Sequence, residues 1–376
     1  MPTIGTAQIK LLEKLCNAMA VSGDEGEVRT IVLEAVRPYA DEVKVDALGN
    51  VLVIRHGAER RADPEPASPR EGVEGEARSR SAGKDRLRVM LAAHMDEVGF
   101  MLAADEGEGI FRFETVGSMD IRQLPGKAVI VGKEHLPGVI GVRPIHLVKD
   151  DELKNKISLE SLRIDLGPGG AKAKPGDRAI FAAHFQRSGP SIIARALDNR
   201  LGVATLIELV RHAPPNVDLL AAFTVQEEIG TRGAKVAAYA FDPDLAIVID
   251  STPANDLPAW DASENVAYNT KLGLGPAIYV TDKGTLSDPR LIRHLVATAE
   301  AKRIHYQLRQ PGGGGTDAGA IHKQREGIPS VSVSVPHRYS HTAASIVHLD
   351  DWKNTLALLQ AALSRITPDL LAGERE

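Results

Sequence analysis

The sequence is poor in cysteine, in aromatic residues and in excess positive charge, and each shortage disfavours a class of protein. Its 376 residues include a single cysteine, Cys16, so the chain cannot form an intramolecular disulfide. Aromatic residues make up 4% of the chain, which leaves few side chains on which sugar rings could stack. Lysine and arginine number 45 against 50 aspartates and glutamates. The resulting net charge of -5 argues against nucleic acid or an anionic membrane as a partner.

Long apolar runs are also missing. The longest are the length of a strand, well short of the roughly 20 residues that cross a bilayer. The first residues, MPTIGTAQIKLLEKLC, lack the basic and apolar regions of a signal peptide. Hydrophobic residues nevertheless make up 43% of the chain, which is enough for a substantial core. These features predict a cytoplasmic globular protein, and such chains are most often enzymes.

The pattern along the chain predicts an α/β fold. Two amphipathic helices open the sequence, and a turn at Gly49 and Asn50 indicates a hairpin. From Ala196 onwards strands alternate with helices, which predicts a largely parallel sheet in a three-layer α/β/α arrangement. Residues 102–190 instead show short apolar stretches broken by glycine and proline. We therefore expect a small all-β domain at 102–190, inserted into an α/β domain made of 1–101 and 191–376.

Residues 57–86 have a different composition. They contain one β-branched residue, Val73, and no aromatic residue, and they mix acidic with basic side chains. Such a segment buries too little apolar surface to offset the entropy of ordering it. We expect a disordered surface loop, with a charged recognition loop as the alternative.

Several predicted strands end in residues that bind metals or transfer protons. His94 and Asp96 follow the strand at 88–93, Glu227 and Glu228 follow 218–225, and Asp250 follows 245–249. The strand at 329–335 leads to His337 and His341, and Asp198 begins a helix. Ligands of open α/β sheets bind at the carboxyl ends of strands. Histidine and carboxylate side chains gathered there suit two divalent ions of the zinc, cobalt or manganese type.

Each of these residues also has an ordinary structural interpretation. His94 could be a hydrogen-bonded core histidine, and Asp198 or Asp250 could cap local structure. Glu227 and Glu228 could form a solvated turn, although adjacent carboxylates repel each other. Independent capping residues need not fall at the same end of several strands, so the combination favours a metal site.

Six segments lie in order between Ser22 and Asp350. They are AAHMDEVGFM at 92–101, ALDNRLGVA at 196–204, TVQEEIGTRGA at 224–234, Asp250 with the Ser-Thr-Pro-Ala that follows it, GGGGTDAGAIH at 312–322, and PHRYSHTA at 336–343. Together they resemble the co-catalytic metalloaminopeptidases that assemble into tetrahedral dodecamers, a family that includes glutamyl and deblocking aminopeptidases and members labelled endoglucanases. The chain departs from the usual pattern after Asp250, where Gly-Asp-Thr is more common. We expect this departure to affect either the substrate pocket, and with it substrate specificity, or the contact between subunits.

The resemblance implies a metal site with two ions per subunit, Zn²⁺ or Co²⁺. His94, Asp198 and Asp250 would bind one ion, and Asp198, Glu228 and His341 the other, with Asp198 as the bridge. His337 is the alternative to His341 as the histidine ligand of the second ion. The RYSH context favours His341. The resemblance also implies a cis peptide bond between Asp198 and Asn199.

The catalytic residues implied by the resemblance are Glu227, as general base, and Asp96, which would orient His94. Because alternate residues of a strand face the same side, Asp96 can reach back towards the His94 ring. The glycine-rich segment at 312–322 lacks the lysine and spacing of a phosphate-binding loop. Thr316 or Asp317 would instead line the substrate pocket, with a structural turn as the alternative.

The expected function is metal-dependent removal of N-terminal residues from short peptides. The resemblance implies that the β insertion forms dimers, which assemble into a homo-oligomeric dodecamer. Glycoside hydrolysis is one alternative, but it uses two carboxyl groups and no metal pair, and the chain is poor in aromatic residues. A non-catalytic assembly protein is another, which the presence of Glu227 and Asp198 disfavours.

Overall fold

A computed structural model describes residues 2–58, 86–149, 156–168, 172–261, 263, 265, 269–310, 312–373 and 375. The charged loop predicted at 57–86 lies almost entirely outside these ranges, so that prediction is not tested. None of the helices in the described ranges is long and apolar enough to cross a membrane.

The described residues form strands and helices in the following order. The strands are β1 (Glu42–Val45), β2 (Val51–Arg55), β3 (Arg88–His94), β4 (Gly99–Asp105), β5 (Ile110–Val116), β6 (Ala128–Val131), β7 (Leu136–Gly141), β8 (Arg163–Asp165), β9 (Arg178–Phe181), β10 (Gln186–Ser188), β11 (Ser191–Ala194), β12 (Asp218–Thr224), β13 (Leu245–Pro253), β14 (Ala277–Ile278), β15 (Gln307–Leu308), β16 (Ser330–Arg338) and β17 (Ser345–His348). The helices are α1 (Thr6–Asn17), α2 (Gly26–Val36), α3 (Leu197–Arg211), α4 (Arg232–Phe241), α5 (Pro289–Lys302), α6 (Ala318–Ile321), α7 (Leu349–Leu363) and α8 (Asp369–Ala372).

Eleven strands form one mixed sheet, in the order β1-β2-β12-β3-β13-β16-β17-β11-β10, with β14 paired to β16 and β15 paired to β14. The prediction of a largely parallel sheet is wrong. Along that order, only the pairs joining β12, β3, β13 and β16 are parallel. The outer pairs are all antiparallel. Short connections link three of them, β1–β2, β10–β11 and β16–β17, whereas β2–β12 and β11–β17 join strands that are far apart in the sequence.

Helices cover both faces of this sheet. Alternate residues of β3 point to opposite faces. Leu91 packs in a core with α1, α2, α3, α5 and α7. Met90 packs in a smaller core with α4 and α6. The mixed α/β fold is therefore confirmed, with the carboxyl ends of the four parallel strands at one edge.

Strands β4 to β9 form a separate six-stranded closed barrel, in the order β4-β5-β8-β7-β6-β9. Its core centres on Phe100, which makes edge-on contacts with Phe113 and Phe181 at ring distances of 5.3 and 5.1 Å. The barrel strands span residues 99–181, and β10 and β11, which follow, pair within the large sheet instead. The chain therefore leaves the sheet after β3 and returns to it at β10.

Candidate metal centre

The carboxyl ends of the parallel strands bring the predicted residues together. His94 is the last residue of β3, and Glu227 and Glu228 follow β12. Asp250 lies within β13 rather than after it, because the parallel pairing with β16 continues through Asp250 to Pro253. These side chains face a cavity of about 890 Å³ that Asp198 and His341 also line.

His94, Asp198 and Asp250 form one group of possible metal ligands. One ligand atom from each lies within 4.8 Å of the others. The Nε2 atom of His94 is 3.2 Å from an Asp198 carboxylate oxygen and 3.5 Å from an Asp250 carboxylate oxygen. All three side chains are largely shielded from solvent, with side-chain exposures of 2%, 18% and 6%.

Asp198, Glu228 and His341 form a second group of the same kind. The Nε2 atom of His341 is 3.3 Å from Glu228 Oε2 and 3.6 Å from Asp198 Oδ2. Asp198 thus belongs to both groups, with one oxygen facing each imidazole. Zinc and related divalent ions accept imidazole nitrogen and carboxylate oxygen, so both donor sets fit such an ion.

Electrostatics also favours bound cations at this position. Burial, followed by the charge of Asp198, raises the pKa of Glu228 to about 8. Burial raises the pKa of Asp250 as well. Carboxylates that share a site disfavour each other's ionised forms unless positive charge compensates them. Two divalent ions would supply that charge.

The backbone around Asp198 places its carboxylate between the two histidines. The peptide bond between Asp198 and Asn199 is cis, as the resemblance implied. The Asn199 side chain donates to the carbonyl of Ile249, next to Asp250, and accepts from the N–H of Gly202. The capping alternative for Asp198 does not describe this arrangement, because both of its oxygens face histidine nitrogens.

Asp96 is completely buried and fixes the turn that carries the two glutamates. Its carboxylate accepts from the backbone N–H groups of Glu227 and Glu228, at 3.0 and 3.2 Å. The Ser22 hydroxyl donates to it at 2.6 Å. His94 Nδ1 lies 3.1 Å from the Asp96 carbonyl and 3.5 Å from its carboxylate. Asp96 therefore contacts both His94 and the Glu227–Glu228 backbone. The role of Ser22 is not predictable from the sequence, because no spacing rule links this residue to Asp96.

Glu227 faces the cavity but belongs to neither ligand group. Burial raises its pKa well above the usual range, and the charge of Asp317 adds to this effect, while His94 opposes it. A carboxyl group with a raised pKa is suited to accepting and returning a proton near neutral pH.

His341 lies in a turn after β16, in the left-handed backbone region at φ 53°. Its Nδ1 atom is 2.7 Å from the carbonyl of Ser118, in the barrel loop after β5. The Gln123 side chain of the same loop donates to the His341 carbonyl. The barrel therefore fixes both the ring and the backbone of His341. No local sequence pattern indicates these two contacts.

His337, the rival of His341, is buried within β16 and pairs with the hydroxyl of Ser340. Burial lowers its pKa to about 4. It joins neither ligand group among the described residues, so the geometry favours His341 as the ligand.

The two predicted substrate-binding residues have different surroundings. Thr316 lines the cavity together with Gly313, Gly314 and Gly315. Its hydroxyl pairs with that of Ser332 at 2.8 Å. Asp317 is buried behind the cavity wall and accepts from the Thr224 hydroxyl at 2.5 Å. The glycine-rich segment thus forms one wall of the cavity.

Sequence comparison identifies relatives over nearly the full chain. The family described as M42 glutamyl aminopeptidase matches residues 75–358. A lysyl aminopeptidase from Pyrococcus furiosus is 30% identical over 372 residues, which cover 96% of this chain and 97% of that protein. A glutamyl aminopeptidase from Lactococcus lactis is 28% identical over 380 residues, with coverage of 96% and 97%.

Solved structures agree with this result. The aminopeptidase APDkam598 from Desulfurococcus kamchatkensis superposes with a TM-score of 0.85 at 32% identity, covering 97% of this chain and 96% of its own. The TET1 peptidase of Pyrococcus horikoshii, described as assembling into a tetrahedron or an octahedral shell, gives 0.77 at 30% identity, with coverage of 96% and 100%. An endoglucanase from Thermotoga maritima gives 0.72 at 29% identity, with coverage of 96% and 98%.

Proposed function

Because the chain belongs to the M42 glutamyl aminopeptidase family, we propose that it is a metal-dependent aminopeptidase that removes N-terminal residues from short peptides. The observation that carries this proposal is the pair of histidine and carboxylate groups that share Asp198 at the cavity. We propose His94, Asp198 and Asp250 as ligands of one divalent ion, and Asp198, Glu228 and His341 as ligands of the other.

The ions would be zinc or cobalt, for which both donor sets are suitable. When bound, such ions lower the pKa of a water molecule and polarise the peptide carbonyl. The protein fixes the positions of the ligands. The Asp96 carboxylate accepts hydrogen bonds from the backbone N–H groups of Glu227 and Glu228. These bonds fix the backbone of the turn and therefore the positions from which both glutamate side chains extend.

Glu227 is the proposed general base. It lies at the cavity beside the ligand groups, and its raised pKa allows it to take a proton from water as the scissile carbonyl is attacked. The same carboxyl group then returns the proton to the leaving amine. Thr316 is the proposed substrate contact on the glycine-rich wall. Asp317 is buried next to Thr316, and its charge adds to the rise in the pKa of Glu227.

The first test combines metal analysis with a substrate panel. Protein reconstituted with Zn²⁺ or Co²⁺ is expected to hold two ions per chain and to hydrolyse unblocked aminoacyl-p-nitroanilides, but not their N-acetylated forms. A cellulose oligomer serves as the control for the glycosidase alternative. Absence of bound metal after reconstitution would refute the ligand assignment, and turnover of the oligomer alone would refute the reaction assignment.

We also propose that the barrel belongs to an inserted β domain at 102–190 that forms dimers, and that 1–101 and 191–376 form the catalytic domain. Two apolar side chains after β7, Ile145 and Leu147, are 73% and 62% exposed in the single chain, which suits a surface that another subunit covers. A solved TET1 structure described as a dodecamer, together with the tetrahedron described for the TET1 peptidase, supports a dodecamer of such dimers.

Multi-angle light scattering on the metal-loaded protein tests this assembly. We expect a mass near twelve subunits. Replacing both Ile145 and Leu147 with serine is expected to shift the population towards smaller species. A monomer for the unsubstituted protein at micromolar concentration would contradict the proposed assembly.

A further inference from the structure

The turn that carries Glu227 and Glu228, which we call the glutamate turn (225–233), is closed at its base by a residue from another part of the chain. Its two ends meet where the Gly233 N–H donates to the Val225 carbonyl at 3.0 Å. Asn50, from the β1–β2 hairpin, bonds to both ends. Its Oδ1 accepts from the Val225 N–H at 3.0 Å, and its Nδ2 donates to the Gly233 carbonyl at 3.1 Å. Asn50 therefore ties the two ends of the turn together.

Strand pairing explains why Asn50 reaches this position. Strand β2 pairs antiparallel with β12, and Val51 lies opposite Phe223. Asn50 precedes Val51, whereas β12 ends at Thr224, so Asn50 stands beside the point where the chain leaves the strand. A side-chain amide offers one acceptor oxygen and two donor hydrogens. It therefore continues the hydrogen bonding of the strands past the last residues that pair.

The Asn50 side chain is itself held firmly. It is completely buried, and its Nδ2 also donates to Asp46 Oδ2 at 2.6 Å. The other Asp46 oxygen accepts from the backbone N–H groups of Leu48, Gly49 and Asn50, each at 3.0 Å. A buried amide is costly unless its polar atoms have partners, and here both donors and the acceptor have one. The hairpin thus fixes the amide that closes the turn.

The backbone of the glutamate turn depends on such support. Gln226 and Thr231 lie in the left-handed region, at φ 57° and 51°, which residues with a side chain seldom occupy. A Cβ atom at Gly233 would overlap Asn50 Oδ1 and the Val225 backbone, so the ends approach as closely as a glycine allows. Unfavourable backbone conformations persist only where the surrounding contacts hold them. Opening the base is therefore expected to release the turn.

The two glutamates would move with the turn. Asp96 holds the middle of the turn through the N–H groups of Glu227 and Glu228, whereas Asn50 holds its ends. The ligand group that contains Asp250 takes no residue from this turn. Release of the base should therefore affect the base Glu227 and the ligand group that contains Glu228, and leave the Asp250 group in place.

We propose that Asn50 is a positioning residue of the metal centre, which places Glu227 and Glu228 by closing the base of their turn. It acts through the Val225 and Gly233 backbone and does not line the cavity in the described ranges. Residues that orient metal ligands or reacting groups from outside contribute about tenfold to a hundredfold to metal affinity or rate. This inference rests on the proposed metal-dependent hydrolysis and adds a residue to it.

The first test is a titration of the metal-free protein with Co²⁺, followed by the visible absorption of the bound ion. Two binding steps are expected in the unsubstituted protein. Asn50→Ala is expected to weaken one step by about tenfold to a hundredfold and to leave the other unchanged. Glu228→Gln identifies the weakened step, and Asp250→Asn identifies the other. A general loss of structure would weaken both steps alike.

The second test is kinetic and uses saturating metal. Asn50→Ala is expected to lower kcat on leucyl-p-nitroanilide by about tenfold to a hundredfold. In a Glu227→Gln background the same substitution is expected to lower kcat much less, because the group that Asn50 positions is already absent. Effects that multiply independently in the double variant would count against action through Glu227.

Asn216→Ala is the matched control. Asn216 precedes β12 at its amino end, and its side chain also donates two hydrogen bonds to backbone carbonyls, those of Leu363 and Ile366. Its replacement is expected to leave both cobalt steps and kcat unchanged. Circular dichroism and melting temperature test whether each variant is folded.

Two further variants carry the test if Asn50→Ala does not fold. Gly233→Ala pushes the ends of the turn apart, and Asp46→Ala removes the carboxylate that holds the Asn50 amide. Both are expected to weaken the same cobalt step and to lower kcat. Normal cobalt binding and kcat in folded Asn50→Ala, or in both substitutes, would overturn the inference, as would equal weakening of the two steps.

The cobalt titration also separates this inference from the proposed function. An unsubstituted protein that hydrolyses no anilide would refute the aminopeptidase proposal, while selective weakening of one cobalt step by Asn50→Ala would still support the positioning role. Anilide turnover that Asn50→Ala leaves unchanged would do the reverse. An unsubstituted protein that binds no cobalt would refute the ligand assignment and this inference together.

Discussion

Replacing Asp198 with asparagine is expected to give a folded protein that has lost most of its bound metal and nearly all of its activity. Asp198 contributes one oxygen to each ligand group, so a neutral amide weakens both groups at once. The bound ions are expected to lower the activation free energy by several kcal/mol. Their loss should therefore decrease kcat/KM on the order of 10³-fold or more. Elemental analysis after dialysis, followed by steady-state kinetics, provides the measurement.

The matched control is Asp350→Asn. Asp350 is an exposed aspartate of α7 that pairs with Lys353, and its replacement is expected to leave metal content and kcat/KM unchanged. Circular dichroism and melting temperature test whether the Asp198 variant is folded, which we expect. Two tightly held ions per chain in Asp198→Asn would contradict the bridging assignment.

Replacing Glu227 with glutamine is expected to separate catalysis from metal binding. Glu227 lies outside both ligand groups, so the variant should retain both ions. It should also lose the proton transfer that we assign to this carboxylate, which is worth roughly 10² to 10⁴ in rate. The measurements are metal content and kcat on the same anilide.

Two further variants make the result specific. Glu228→Gln alters a proposed ligand and is expected to lower metal affinity, whereas Glu227→Gln is not. Glu13→Gln changes an exposed glutamate of α1 and is expected to have no effect. A Glu227→Gln enzyme with unchanged kcat would remove Glu227 as the base, and one without metal would make it a ligand.

The central strands of this fold were predictable because the pattern that forms each strand lies within a short stretch of sequence. The apolar runs that become β3, β12, β13 and β16 each stand next to metal-binding residue types in the sequence. Parallel strands place those residues at one edge of the sheet, so His94, Glu228 and Asp250 could be expected to meet. The antiparallel pairing of the outer strands was not predictable from the alternation of strands and helices. Tertiary packing determines which strands pair and in which direction.

Other parts of the site depend on contacts between residues far apart in sequence. Ser22 reaches Asp96 from the loop between α1 and α2, and Ser118 reaches His341 from the barrel loop after β5. His337 and His341 are equally plausible ligands by residue type. What distinguishes them is backbone geometry, because β16 continues through His337 whereas His341 lies in the turn beyond it.

The contact between the Ser118 carbonyl and the His341 ring joins residues that the ribosome makes at different times. It therefore bears on when the metal centre can form during synthesis. The ribosome makes Ser118 and the barrel loop 223 residues before His341. The second ligand group therefore has no imidazole until those residues have been added. A growing chain thus has the barrel contact for His341 before it has the histidine that uses it.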